Sequence, residues 1–168
     1  MPTEPGVPTV LTGGRFVGRV AFAQLIRDSL AAAAEQGWSA LVLCDPGFED
    51  WPLNEKVVID SLNAWARSGR SITLIAAQYD SVVRQHPRFV SWRRTWSHIV
   101  DGRICRQIDP VNFPTLLWSP RWALQRLDPV RASGIAGAEP ERIVQLREQV
   151  QELMQLSSPG FPATTLGL

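Results

Sequence analysis

The chain has 168 residues, of which 45% are hydrophobic and 20% charged, and its formal net charge is +1. This length suits one domain with a substantial core, and the composition argues against a disordered or fibrous protein. A net charge this small argues against a dedicated polyanion-binding protein. All basic residues but Lys56 are arginine, a bias that a GC-rich genome produces, although arginine also suits phosphates and carboxylates.

The chemistry of the termini and cysteines predicts a cytoplasmic protein that does not enter a membrane. The first residues, Met-Pro-Thr-Glu-Pro-Gly, lack the basic and apolar regions of a signal peptide. No apolar run approaches the roughly 20 residues of a membrane span. Cys44 and Cys105 lie in apolar segments without metal or redox spacing, which predicts buried thiols in a reducing compartment.

The first half of the chain predicts a βαβ unit. Residues 1–14 are rich in proline and glycine, and we expect a flexible arm there. A helical pattern follows over residues 18–37. Residues 39–45 and 71–77 are short apolar runs typical of strands buried on both faces, and an amphipathic helix separates them. Strands joined in this way are expected to be parallel, with a right-handed crossover.

In the second half the pattern changes to shorter segments. Residues 81–98 predict a helical region that is interrupted at Pro87, and residues 103–108 predict a third strand. Residues 115–118 and 122–127 flank Ser-Pro-Arg, which indicates an antiparallel hairpin.

The last elements complete the predicted fold. Residues 129–138 are predicted to form a loop, and a helix begins at Pro140 with an apolar stripe along one face. Residues 158–168 are expected to form a flexible tail. The sequence therefore predicts one α/β domain over residues 15–157. Its expected form is a three-layer α-β-α sandwich with a mixed sheet of about five strands, parallel at first and ending in the hairpin.

This order of elements resembles one half of a phospholipase-D-like domain, in particular the small bacterial members that lack the catalytic motif. Active members carry His-x-Lys and a later Asp on the hairpin, where the histidine is the nucleophile and the lysine binds phosphate. Here the hairpin region, residues 113–118, reads Phe-Pro-Thr-Leu-Leu-Trp. Lys56 lies on a predicted helix with the wrong spacing. The resemblance therefore implies that the phosphodiesterase chemistry of the family is absent.

Candidate ligand-binding residues follow the first two predicted strands, where ligands of open α/β sheets bind. Asp45 follows the first strand, and Asp80, Arg84, His86 and Arg88 follow the second. In one interpretation they form a cleft in which Asp45 and Asp80 act as acid/base or recognition groups and His86 titrates. In the other, Asp-Pro-Gly and Tyr-Asp-Ser provide only turns and helix caps.

A second candidate is the arginine-rich segment 84–106, which contains two tryptophans and includes Arg93 and Arg94. Arginines interleaved with aromatic residues are typical of single-stranded nucleic-acid binding, where cations meet phosphates and rings stack on bases. The alternative is that Trp92 and Trp96 belong to the core, as their helical spacing indicates, and that the arginines are a solvated face.

Three further tryptophans, Trp51, Trp118 and Trp122, fall in predicted loop or hairpin positions and are candidate anchors for a protein partner; the alternative is that they are lids over the core. No phosphate-binding loop, nucleophile elbow or metal-ligand spacing is present, so we predict neither cofactor nor metal. The first functional hypothesis is a non-catalytic interaction or regulatory module, with a protein partner or homodimer. The alternatives are nucleic-acid or phosphate-ligand binding through segment 84–106, and an enzyme with its site at the strand ends.

Overall fold

The computed structural model describes residues 9–68 and 70–161, in which eight strands form one mixed sheet. In chain order the strands are β1 (Gly14–Phe16), β2 (Ala40–Cys44), β3 (Ser71–Ala76), β4 (Val100–Ile104), β5 (Thr115–Trp118), β6 (Ala123–Asp128), β7 (Ser133–Gly137) and β8 (Ser158–Pro159). The helices are α1 (Arg19–Gln36), α2 (Lys56–Ala66), α3 (Asp80–Gln85), α4 (Pro87–Thr95) and α5 (Pro140–Leu156).

The strand order is β1-β7-β6-β5-β2-β3-β4-β8. Strands β2, β3 and β4 are parallel, so the predicted βαβ unit is confirmed. Every other neighbouring pair is antiparallel, including the predicted β5–β6 hairpin. The parallel and antiparallel halves of the sheet meet where β2 pairs with β5.

Helices pack against both faces of the sheet, because apolar side chains of the central strands alternate between two core clusters. On β2, Leu41 and Leu43 face the larger cluster, which contains buried residues of α1, α2 and α4. Val42 and Cys44 face the second cluster, which is closed by α5. Both cysteines are buried free thiols, as predicted, and burial raises the pKa of Cys44.

Local sequence explains the ends of the two long helices. Helix α1 ends at Gly37, which adopts a left-handed conformation (φ 64°) while its N–H donates to the carbonyl of Ala33. Helix α5 begins with Pro140, which has no N–H to leave unpaired in the first turn. The predicted stripe of α5 is buried against its own sheet; its members are Ile143, Leu146, Val150 and Leu153. None of the described helices has the length and apolar composition needed to cross a membrane.

The sheet has eight strands, so the prediction of about five was wrong. Strands β1, β7 and β8 were not predicted, since two are very short and β7 has the composition of a loop. In β7, Gly134 is required by packing. A Cβ at this position would lie 2.0 Å from the carbonyl oxygen of Gln125 in β6.

Several predicted boundaries also move. The third strand lies at Val100–Ile104 rather than residues 103–108, and the helical region 81–98 is divided at Pro87 into α3 and α4. At the N-terminal side, β1 begins inside the predicted arm, and the Thr9 hydroxyl donates to Glu35 at 2.9 Å. The remainder of the predicted arm, residues 1–8, lies outside the described residues.

The folded part of the chain extends beyond the tail boundary predicted at residue 158. Strand β8 pairs with β4, and Phe161 is buried with its ring stacked 4.6 Å from that of Tyr79. The boundary was placed too early because a two-residue Ser-Pro strand and a single aromatic residue give no periodic signal. The rest of the predicted tail, residues 162–168, lies outside the described residues.

Candidate functional site

The carboxyl end of β2 is organised by the buried side chain of Asp45. Its Oδ2 accepts hydrogen bonds from the backbone N–H groups of Gly47 at 3.0 Å and Phe48 at 2.7 Å. These bonds fold the loop between β2 and α2 back onto the strand end. Within the loop, Phe48 adopts a positive φ of 61°, a strained conformation for a bulky residue that the surrounding packing must hold in place.

The other oxygen of Asp45 joins a polar network with the antiparallel half of the sheet. The hydroxyl of Thr115, at the start of β5, donates to Oδ1, and Nη2 of Arg126 in β6 lies 3.4 Å from the same atom. Nη1 of Arg126 donates to Asp50 at 2.9 Å. We call Asp45, Asp50, Thr115 and Arg126 the strand-end network.

The strand-end network is enclosed by the core. The side chains of Asp45 and Arg126 are only 6% and 8% exposed, and the guanidinium of Arg126 lies 5.1 Å from the centre of the Phe22 ring. Both oxygens of Asp45 are occupied by protein donors. The arrangement is that of a structural ion pair, with no face of the carboxylate left open to a substrate.

Of this network, only Asp45 is among the ligand-binding candidates named from the sequence. A signal for the others was present in the strand pattern, because Thr115 shares a face with Leu117 and Arg126 shares a face with Leu124. A polar residue in the core-facing phase of a strand is an unusual placement that calls for a buried partner. Asp50 follows no such pattern, since it lies in a loop.

Asp80 and His86 do not join Asp45 in one cleft. Asp80 is exposed at the start of α3, where its backbone N–H donates to the Gln78 side chain at 2.7 Å. His86 is buried, with Nε2 2.8 Å from the carbonyl oxygen of Phe48. Because a carbonyl only accepts, Nε2 carries the proton, and Nδ1 has no partner among the described residues. His86 therefore holds the loop backbone at Phe48, Asp80 faces solvent, and the two do not form a cleft with Asp45.

The four candidate arginines also differ in burial and in their contacts. Arg93 is buried, and its Nε donates to the carbonyl of Phe161 at 3.0 Å, while burial lowers its pKa. Arg88 is exposed and bonds the backbone carbonyl and side chain of Asn54. Arg84 and Arg94 are exposed on α3 and α4. The structure thus leaves three of the four on the outer surface and places one in the core.

The tryptophans of segment 84–106 are mainly core residues. Trp92 is buried and stacks on Phe89 at 5.6 Å, and Trp96 is half-buried with its indole N–H bonded to Asn63. The Trp92 ring is therefore not available for stacking on a base, and Trp96 packs in part against the core. This outcome matches the alternative in which these rings pack the core.

The burial of Trp51 and Trp122 matches the interpretation of these residues as lids over the core and not as exposed partner anchors. They are 2% and 4% exposed; Trp51 packs edge-on against Phe22, and the Trp122 indole donates to Ser29. These loops fold over the core and bury their aromatic residues. Trp118 is half-buried beside α5, and its indole N–H donates to the carbonyl of Ile143 at 2.9 Å.

Within residues 9–68 and 70–161, no group of three or more His, Cys, Asp or Glu side chains is arranged to hold a metal ion. Lys56, the single lysine, is exposed on α2 and pairs with Asp60 at 2.9 Å. It therefore lies on a helix and not on the hairpin that would carry the lysine of an active phospholipase-D-like enzyme.

We expect Arg126→Met to lower the free energy of unfolding by about 3 kcal/mol or more, because it leaves the buried Asp45 carboxylate without its cation. Urea denaturation followed by circular dichroism measures this loss. The matched control is Arg131→Met, which removes an exposed arginine lying 3.9 Å from Asp128 and should cost less than about 0.5 kcal/mol. Equal losses in the two variants would contradict a structural role of the network.

The chain matches no protein-family model and no curated protein. Solved structures, however, match it over most of its length. One is TrmBL2, an archaeal chromatin protein described as showing a novel mode of DNA binding, with a TM-score of 0.65 and 12% sequence identity. The match covers 94% of this chain, which spans only 56% of the length of the chromatin protein.

In two other matches, almost the whole of the other protein is aligned with this chain. They are Nuc, a phospholipase D family member from Salmonella typhimurium, and NucT from Helicobacter pylori. Their TM-scores are 0.58 and 0.57, with 7% identity, and each match covers 89% of this chain and 99% of the neighbour. At such identities the likeness concerns the fold alone, and the chain has a phospholipase-D-like fold.

Proposed function

We propose that this chain is a non-catalytic phospholipase-D-like domain that acts as an interaction module and pairs with a second copy of itself. The observation that carries the proposal is the strand-end network. Thr115, on the hairpin that would bear the histidine and lysine of an active enzyme, is instead bonded to Asp45 and Arg126. The charged groups of Asp45 and Arg126 are paired with one another, and Asp50 and Thr115 bond to them as well.

Neither histidine supplies a nucleophile at this end of the sheet. His86 is buried and bonded to the Phe48 carbonyl. His98 is exposed but precedes β4, so it lies at the opposite end of the parallel strands from Asp45. A phosphohistidine mechanism needs an accessible imidazole beside a phosphate-binding cation, and neither histidine provides an accessible imidazole at this end of the sheet.

An exposed apolar surface provides a candidate interface near the antiparallel edge. We call Val17, Val20, Leu127 and Val130 the corner surface. The Gly18 N–H donates to the Ala132 carbonyl at 3.2 Å, which brings the β1–α1 junction against the β6–β7 turn. The four side chains are between 64% and 88% exposed. Clustered apolar side chains at this exposure are typical of protein-binding surfaces.

The charges around the corner surface suit a second copy of the chain. The side chains of Arg131 and Asp128 are 80% and 41% exposed on the same turn. A two-fold axis through the apolar centre would bring Arg131 of one copy towards Asp128 of the other, twice. An apolar centre with a charged rim is the usual anatomy of such an interface.

We expect the protein to show no hydrolysis of bis(4-nitrophenyl) phosphate above the buffer rate, because no accessible nucleophile stands beside a phosphate-binding cation. Release of 4-nitrophenolate measures this. Asp45→Asn should leave the buffer-level rate unchanged. Hydrolysis that rises in proportion to protein concentration and is lost in Asp45→Asn would contradict the non-catalytic proposal.

We expect sedimentation equilibrium to show a concentration-dependent dimer of the 18.7 kDa chain. Val130→Glu and Leu127→Glu should each weaken dimerisation at least tenfold, because they place like charges at the centre of the interface. Val57→Glu is the matched control, since Val57 is 56% exposed on α2, away from the corner surface, and this variant should dimerise like the wild type. A monomer at all concentrations would refute self-pairing.

Nucleic-acid binding is a second candidate, favoured by the exposed arginines of α3 and α4 and by the likeness to a chromatin protein described with a mode of DNA binding. Arg84 and Arg88 offer charge to phosphates, whereas the neighbouring tryptophans are packed inward. Binding through this face would therefore be electrostatic and independent of base stacking.

If this second candidate holds, fluorescence anisotropy will show that the protein binds a labelled single-stranded oligonucleotide at 50 mM salt. The affinity should be at least tenfold lower at 200 mM salt. Arg84→Glu with Arg88→Glu should abolish binding, whereas Arg121→Glu, an exposed arginine near the end of α1, should not. No binding at low salt would remove this candidate and leave the interaction module.

A further inference from the structure

A groove of about 480 Å³ lies between α5 and the sheet, at the end of β2 opposite the strand-end network. Its volume is in the range of small-molecule sites. The walls are mainly apolar and come from β2, the β5–β6 hairpin and one side of α5; they include Val42, Trp118, Pro120, Ile143 and Val150.

One cation, Arg147, borders this groove. Within the described part of the chain its guanidinium has neither a hydrogen-bond nor an ion-pair partner. Residues three and four positions away on a helix are its neighbours; for Arg147 they are Ile143, Val144, Val150 and Gln151. None of these is acidic, and all four line the groove. The charge of Arg147 is therefore available to a ligand.

The indole of Trp118 is fixed as one wall of the groove. Its N–H donates to the carbonyl of Ile143 in the first turn of α5 at 2.9 Å. This bond uses the single polar atom of the indole. Trp118 therefore contributes a positioned apolar surface to a ligand and does not compete for its polar group.

We propose that this groove binds a small amphipathic carboxylate. The apolar body lies against Val42 and Trp118, and the carboxylate pairs with Arg147, whose planar guanidinium suits two parallel hydrogen bonds to it. An uncharged analogue gains only the apolar contacts, and a cationic analogue meets the charge of Arg147. The site does not depend on the interaction function proposed above, because it lies apart from the corner surface.

The test uses octanoate as the probe and the indole ¹H–¹⁵N signal of Trp118 as the reporter. We expect octanoate to shift this signal saturably, and 1-octanol and octylamine to bind at least tenfold more weakly. Because Arg147 is exposed, Arg147→Gln should keep the fold and reduce octanoate affinity to that of 1-octanol. Arg67→Gln is the matched control, an exposed arginine at the end of α2, and should bind octanoate like the wild type.

A second variant tests the same idea by giving Arg147 an ion-pair partner on α5 itself. Val144→Glu places a carboxylate three positions before Arg147 at an exposed residue that lines the groove. This variant should lower the affinity for octanoate at least tenfold. The proposal fails if octanoate leaves the Trp118 signal unchanged, if 1-octanol binds as tightly as octanoate, or if both variants bind octanoate like the wild type.

Discussion

The carboxylate of Asp45 holds together parts of the fold that the chain places far apart. It accepts two N–H groups of the loop that follows β2, the Thr115 hydroxyl of β5 and the Arg126 guanidinium of β6. The parallel and antiparallel halves of the sheet meet at β2 and β5. Arg126 extends the connection through Asp50. One buried anion therefore sets the loop conformation and the junction of the two halves.

The same interaction decides what chemistry this end of the sheet can perform. A buried charge is tolerated only when it is paired and hydrogen-bonded. In the strand-end network the carboxylate of Asp45 and the guanidinium of Arg126 are paired with each other and bonded to Thr115 and Asp50, so these charges stabilise the fold. His86 follows the same logic, since its proton is held by a backbone carbonyl.

Periodicity predicted the elements that bury a continuous apolar face, namely α1, β2, β3, the hairpin and α5. It could not predict β7, because Gly134 is selected by the approach of the β6 backbone and carries no apolar side chain. The candidate cleft was wrong for a related reason. Sequence places Asp45 and Asp80 after neighbouring strands, but Asp45 turns into the core while Asp80 faces solvent. Side-chain direction in loops depends on tertiary contacts that a one-dimensional pattern does not contain.

The two proposed recognition surfaces have a common geometric origin in α5. Eight strands spaced about 4.8 Å apart make a sheet roughly 34 Å wide, whereas a helix covers about 10 Å. Helix α5 starts after β7 and ends beside β4, where Ser157 contacts Arg103. Because β7 ends opposite the carboxyl ends of the parallel strands, α5 crosses the sheet diagonally. One corner left uncovered carries Leu127, and the other is the groove beside Trp118. A single helix that crosses a wide sheet diagonally therefore leaves apolar area uncovered on either side of it.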